Sequence, residues 1–111
     1  MKQTTDWSSF EDLDIRIGRV LEVADARTRK PTYRLTIDFG PEVGIKRSCG
    51  AYRGYPKEAL VGRLVIGVVN FPPKQMGPEI SEVLVLGVEN MAGSIVYLTP
   101  ESDVPLGAAV F

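Results

Sequence analysis

Glycine interrupts three strand-like segments of this sequence, and such interruptions are typical of small, strongly curved sheets. The segments are residues 15–23, 63–69 and 83–88, with glycine at positions 18, 67 and 87. A glycine inside a strand weakens it and marks a bulge, a bend or a close backbone approach. In the first segment the apolar phase breaks at Gly18 and Arg19, which predicts a bulge or a glycine kink there. The other two segments are near-continuous aliphatic runs, so we expect both to be buried.

The clearest strand is residues 33–39, where Tyr33, Leu35, Ile37 and Phe39 alternate with polar side chains. This alternation has the period of a strand with one face buried. Weaker signals predict the remaining elements: a strand at residues 44–51, a hairpin that pairs residues 94–98 with 83–88, and short helices at residues 6–13 and 56–60.

Five or so curved strands with one short helix between the third and fourth indicate an all-β fold. They are typical of a small closed Greek-key barrel of the OB type. A β-sandwich is the competing architecture. At 111 residues the chain is expected to form a single domain, residues 1–111, with its core at about residues 10–98 and an extension at each end.

The composition argues against most enzyme classes. The sequence has no histidine and one cysteine, Cys49, so the usual zinc sites and histidine-based triads are excluded, and we expect no cofactor, no metal site and no catalytic residue. Cys49 is the only plausible nucleophile. Arg47 nearby could lower its pKa, but a lone cysteine in a strand is usually a small buried hydrophobe.

No apolar run approaches the length of a membrane span, and residues 1–14 lack the basic and apolar regions of a secretory signal. A cytoplasmic protein without membrane insertion is therefore expected.

Charge is distributed unevenly along the chain. All 13 Lys and Arg residues lie at or before Lys74, whereas residues 75–111 hold five acids and no base. A segregated distribution can attract an acidic partner although the net charge is −1. The alternative is chance segregation on a solvated surface. Seven of the basic residues fall where an OB barrel binds its ligands, namely Arg27, Arg29, Lys30, Arg34, Lys46, Arg47 and Lys74.

Residues 71–81 combine three prolines with the apolar residues Phe71 and Met76 between two strand-like runs. Prolines stiffen a loop and reduce the entropy that it loses on binding, and methionine adapts to varied partners. The loop therefore predicts a peptide-binding edge. The alternative is that Phe71 and Met76 cap the barrel core. The residues assigned to peptide binding are Phe71, Pro72, Pro73 and Met76.

Three segments, FEDLDIRIGRV, YRLTIDFG and NFPPKQMGPEISEVLVLG, resemble the CsaA family. These small bacterial secretion-related chaperones share the tRNA-binding OB domain that is appended to some methionyl-tRNA synthetases. The resemblance covers residues 10–111 and implies a homodimer that binds unfolded peptides or preproteins. It further implies tRNA binding and contact with the export machinery as expectations.

In the related tRNA-binding domains the loop that begins at the position of Asn70 typically reads Asn-Leu-x-Pro-Arg/Lys, followed by Ser-Glu/Gln-Gly-Met. Phe71 replaces the Leu, and Val83 and Leu84 replace the Gly-Met. Asn70 could instead bond its own loop, and Ser81 and Glu82 could cap backbone groups. The RNA-binding residues implied by the match and by the basic face are Arg27, Lys30, Arg34, Lys46, Arg47, Asn70, Lys74, Ser81 and Glu82.

The apolar ends of the chain predict a dimer interface. A barrel this small has little interior room for Trp7, Phe10, Val110 and Phe111, so we expect some of them to contact a second copy. The alternative is that the tail packs over its own barrel. The sequence therefore favours a non-enzymatic, peptide-binding chaperone, with a structure-specific tRNA-binding protein as the alternative.

Overall fold

A curled antiparallel sheet dominates the computed structural model, which describes residues 1–50 and 54–111. Within these ranges the helices are α1 (Trp7–Glu11), α2 (Gly40–Val43) and α3 (Lys57–Leu60). The strands are β1 (Ile15–Asp25), β2 (Tyr33–Asp38), β3 (Ile45–Gly50), β4 (Leu64–Val68), β5 (Lys74–Met76), β6 (Glu79–Ser81), β7 (Leu84–Val85), β8 (Gly87–Glu89) and β9 (Ile95–Tyr97). Ala51, the last residue of the predicted strand 44–51, lies outside the described residues.

Strand β1 is the centre of the sheet because it is long enough to pair with two partners. Residues 15–19 pair with β4, and residues 19–25 pair with β2. The described strands of this sheet run in the order β3-β2-β1-β4-β7. The chain then returns to β3, where the backbone N–H of Glu82 donates to the carbonyl of Arg47 at 2.8 Å. The result is a nearly closed five-stranded barrel, which confirms the predicted OB fold.

The bulge of β1 lies at Leu21, because the pairing with β2 shifts register between Val20 and Glu22. The prediction of a bulge at Gly18 and Arg19 was wrong, since both residues pair regularly with β4. Gly18 is instead required by packing. A Cβ at this position would lie 2.6 Å from Cγ2 of Ile37, well inside van der Waals contact.

The core is built around Phe39, which directly follows β2. The alternating burial of β2 confirms the prediction for residues 33–39. Glycines of two neighbouring strands leave room for the aromatic ring: a Cβ at Gly18 would lie 2.8 Å from it, and one at Gly67 would lie 3.0 Å from it. The buried cluster comprises Val20, Tyr33, Leu35, Ile37, Phe39, Leu60, Val65, Val83, Val85 and Tyr97.

The aliphatic run at residues 83–88 is not buried throughout, contrary to expectation. Val83 and Val85 face the core, but Leu84 and Val88 are exposed. The chain changes partner within the run: β7 pairs with β4, whereas β8 leaves the barrel and pairs with β9. The predicted hairpin therefore forms, through β8 only, and the alternate side chains of β7 face outward.

Both predicted helices are present but shorter than expected. Helix α3 lies between β3 and β4 and places Leu60 in the core, whereas α1 buries none of its residues. Helix α2 was not predicted from the sequence. In the described part of the chain, no helix is long and apolar enough to cross a membrane.

The C-terminal tail pairs with the first half of β1 through its backbone. The N–H of Ile17 donates to the carbonyl of Ala108 at 3.0 Å, and the N–H of Val110 donates to the carbonyl of Ile15 at 2.8 Å. Arg16 stabilises this region, because its guanidinium forms ion pairs with the carboxylates of Asp14 and Glu42. These contacts raise the pKa of Arg16, the bond to Asp14 most strongly.

Candidate binding site

The β5–β6 hairpin stands beside β3 and is the element that shapes the candidate site. It was predicted as an irregular loop, but Lys74 pairs with Ser81 and Met76 pairs with Glu79 around a tight turn at Gly77 and Pro78. Because cross-strand partners share a face, these four side chains lie on one side of the hairpin. Glu79 is buried, so this side faces the barrel.

A partly buried ion pair joins the hairpin to the barrel. Arg34 of β2 donates from Nη1 to Oε1 of Glu79 at 3.2 Å and to Oε2 at 3.3 Å. The thiol of Cys49 lies 3.7 Å from the second of these oxygens. Leaving a buried carboxylate unpaired is costly, so Arg34 is required at this position for structural reasons. Its predicted contact with RNA stays a prediction.

Ser81 and Glu82 bond the backbone of β3. The hydroxyl of Ser81 accepts from the N–H of Cys49 at 3.1 Å, and Oε1 of Glu82 accepts from the N–H of Arg47 at 3.1 Å. The other carboxylate oxygen of Glu82 lies 4.0 Å from Nζ of Lys46. These contacts agree with the alternative interpretation of both residues as backbone caps, and they close the barrel.

Asn70 joins the start of the loop to the segment that follows α1. Its Oδ1 accepts from the N–H of Asp14 at 2.9 Å, and its Nδ2 donates to the carbonyl of Asp12 at 2.9 Å. The partners lie far away in sequence, so Asn70 does not bond its own loop as the alternative interpretation supposed. It holds residues 12–14 against the end of β4 instead.

An apolar groove of about 400 Å³ lies between the hairpin, β3 and the start of β7. We define the apolar groove by its lining residues: Ser48, Cys49, Phe71, Pro72, Lys74, Met76, Ser81, Glu82, Val83 and Leu84. Three of the four predicted peptide-binding residues line it, and Pro73 does not. Sequence reasoning missed Leu84, whose half-exposed side chain was assigned to the core with the rest of its aliphatic run.

A second groove, of about 700 Å³, follows the first along the hairpin. We call it the basic groove, and its lining residues are Arg27, Thr28, Arg29, Lys30, Thr32, Gly50, Met76, Gly77 and Pro78. Two predicted RNA-binding residues, Arg27 and Lys30, are therefore brought together. Thr28 orders the loop, since its hydroxyl donates to the carbonyl of Lys30 at 2.6 Å.

The predicted cations fall into two groups. Arg34 and Lys46 are paired with glutamates, as described above. Within residues 1–50 and 54–111, none of the ion pairs involves Arg27, Arg29, Lys30, Arg47 or Lys74. Three of these unpaired cations line the basic groove, and Lys74 lines the apolar groove. Their charges remain available to an acidic ligand.

Cys49 is a poor nucleophile in this environment. Burial, and after it the neighbouring carboxylate of Glu79, raise the pKa of its thiol to about 11. The pKa reduction considered for a cysteine near Arg47 does not occur, because desolvation and Glu79 outweigh both nearby arginines. At neutral pH the thiol stays protonated, and only the thiolate attacks effectively.

The predicted interface residues lie at the ends of the chain. Trp7 and Phe111 are almost fully exposed, Phe10 is partly exposed, and Val110 is half-buried. The backbone of the tail packs on its own barrel, which agrees with the alternative interpretation for residues 107–110. The aromatic side chains nevertheless remain on the surface, and their contact with a second copy stays a prediction.

Comparison with known proteins gives a family match over most of the chain. A family model described as a putative tRNA binding domain matches residues 15–109. The methionine–tRNA ligase of Archaeoglobus fulgidus is 39% identical over 110 residues, which is 98% of this chain, and that of Chloroherpeton thalassium is 34% identical over 110 residues, or 99% of it. The chain spans only 16% of the length of either ligase.

Two solved structures match over nearly the whole length of both chains. The crystal structure of the CsaA chaperone protein from Picrophilus torridus superimposes with a TM-score of 0.92 at 39% identity, covering 97% of this chain and 100% of that one. The chaperone CsaA from Bacillus anthracis gives a TM-score of 0.90, also at 39% identity, covering 98% and 100%. Both similarities therefore extend beyond the barrel to the two ends of the chain.

Proposed function

Because the chain belongs to the putative tRNA-binding domain family and, within it, to the CsaA proteins, we propose that it is a non-enzymatic chaperone for unfolded peptides or preproteins. The apolar groove is the proposed peptide site. Association with the export machinery is part of the same proposal, since the chaperone would deliver its clients there.

The observation that carries this proposal is a groove with an apolar lining that is open to solvent. Phe71 and Leu84 expose 43% and 49% of their surface beside it. Pockets of about 300–1,000 Å³ with apolar linings bind drug-sized ligands. A groove of about 400 Å³ therefore suits a few side chains of a short apolar stretch of an unfolded chain.

Fluorescence anisotropy with a labelled, uncharged, apolar peptide tests the proposal. We expect saturable binding that changes little with salt, because the contact is mainly apolar. An uncharged, polar peptide of the same length is the control. Equal anisotropy for the two peptides at every protein concentration would contradict the assignment of a peptide site.

The basic groove favours tRNA binding as a second candidate function. Three cations, Arg27, Arg29 and Lys30, line the basic groove, and none of them takes part in an ion pair within the described residues. If each contacts one phosphate, the slope of log K against log salt is about −2.7, so raising salt from about 50 mM to about 200 mM weakens binding about 40-fold. Filter binding with unfractionated tRNA at the two salt concentrations measures this slope.

Charge reversal separates a specific groove from general electrostatic attraction. Arg27→Glu combined with Lys30→Glu should flatten the salt dependence by about two contacts. The control is Lys2→Glu, which reverses a charge outside the lining of both grooves. A salt slope that stays the same in the double variant would reject the basic groove as the RNA site.

The exposed aromatic residues support the proposal of a homodimer. Phe111→Asp should shift the mass measured by light scattering from about twice the monomer to the monomer mass of 12.2 kDa, because it places a charge in the proposed interface. Met91→Asp is the matched control, since Met91 is equally exposed but lies at the tip of the β8–β9 hairpin. A wild-type protein that is monomeric at micromolar concentration would refute the dimer.

A further inference from the structure

The apolar groove and the basic groove are consecutive parts of one trough between β3 and the hairpin. Along β3, Cys49 lines the first groove and the next residue, Gly50, lines the second. Along the hairpin the order is the same, with Lys74 in the first groove and Gly77 in the second. Met76 lines both grooves. Its side chain therefore stands at the junction between them.

Methionine is suited to act as a movable divider at this point. Its side chain is unbranched, has three rotatable bonds and adapts its shape to a partner at low cost. Met76 is only half-buried, so it is not held on all sides by the core. A large apolar group that enters one groove can therefore displace the side chain toward the other.

The backbone of the hairpin, in contrast, is held in place against the barrel. Its inner strand β6 is attached to the barrel by the Arg34–Glu79 ion pair at 3.2 Å and by the bond from the N–H of Cys49 to Ser81 at 3.1 Å. Gln75 ties β5 to the turn and to β6, because its side-chain amide donates to the carbonyls of Gly77 and Glu79. Because the backbone of the hairpin is held in place, a ligand group that crowds the junction displaces the side chain of Met76.

We propose that peptide binding in the apolar groove and RNA binding in the basic groove weaken each other, and that Met76 carries this coupling. The inference rests on the proposed peptide site and on the tRNA alternative. A peptide side chain packed against Met76 moves it into the space that RNA fills, and bound RNA moves it back. Coupling between two binding sites is reciprocal, so each ligand must lower the affinity of the other by the same factor.

A two-ligand titration tests the coupling. The affinity of the labelled, uncharged apolar peptide is measured by anisotropy with and without saturating unfractionated tRNA at low salt. We expect tRNA to weaken the peptide about 5- to 10-fold, within the range of known couplings. An uncharged peptide is used so that direct repulsion between the ligands does not contribute. An unchanged peptide affinity would overturn the inference.

Substituting Met76 tests whether its side chain carries the coupling. Met76→Ala should still bind each ligand alone, the peptide more weakly because one groove contact is lost, and should abolish the mutual weakening. Ile80→Ala, on the outer face of β6 and outside the lining of both grooves, should retain it. Thermal unfolding of both variants checks that the fold is kept. Coupling that persists in Met76→Ala would overturn the assignment to Met76. Absence of any peptide binding to wild-type protein would instead reject the proposed function, and with it the inference.

Discussion

Phe39→Ala is expected to lower the free energy of unfolding by about 3–5 kcal/mol, the usual cost of removing a buried aromatic ring. Phe39 is 0% exposed, and its ring fills the space that Gly18 and Gly67 leave open on two neighbouring strands. A barrel of this size collapses little around such a cavity, because those strands are fixed by pairing. Chemical denaturation followed by circular dichroism measures the loss.

Two further variants make the result interpretable. Total stabilities of about 5–15 kcal/mol are usual, so Phe39→Ala can fail to fold, and Phe39→Leu should then show a smaller, measurable loss. Phe71→Ala removes the same ring from a partly exposed position and should cost much less. Equal losses for Phe39→Ala and Phe71→Ala would contradict the central role of Phe39 in the core.

Sequence patterns predicted a strand correctly where one face is apolar and the other polar. They failed where both faces of a strand carry buried residues. Strand β2 was identified correctly, because its apolar and polar residues alternate and only one face packs on the core. Strand β1 has buried residues on both faces: Ile15 and Ile17 on one, Gly18 and Val20 on the other. Glycine gives no hydrophobic signal, so the apolar pattern of this segment did not show that Val20 faces the core.

Contacts between distant residues account for most of what was missed in the candidate site. Arg34 and Glu79 are 45 residues apart, and neither residue alone predicts a buried ion pair. The sequence therefore counted Arg34 and Lys46 with the free cations, although glutamates pair with both. Leu84 was missed for a related reason, because the change of partner from β4 to β9 cannot be seen in the aliphatic run itself.

Leu84→Glu is expected to weaken binding of the apolar peptide about 10- to 30-fold, the effect of losing a central contact of a binding site. The substitution places a charge in the lining of the apolar groove, where a bound peptide would remove it from water at a substantial cost. Leu84 is 49% exposed, so the variant should fold. Anisotropy titrations of the variant and the wild type measure the change.

The chain offers a closely matched control for this variant. Ile80 is also 49% exposed, but it lies on the outer face of the hairpin, opposite to the face that lines the apolar groove. Ile80→Glu introduces the same charge on the hairpin but outside the groove lining, so general effects of the added charge should be similar. We expect Ile80→Glu to bind the peptide within about twofold of the wild type, because it removes no contact of the groove. If both glutamate variants weaken binding equally, the peptide lies elsewhere on the surface, and the apolar groove is not its site.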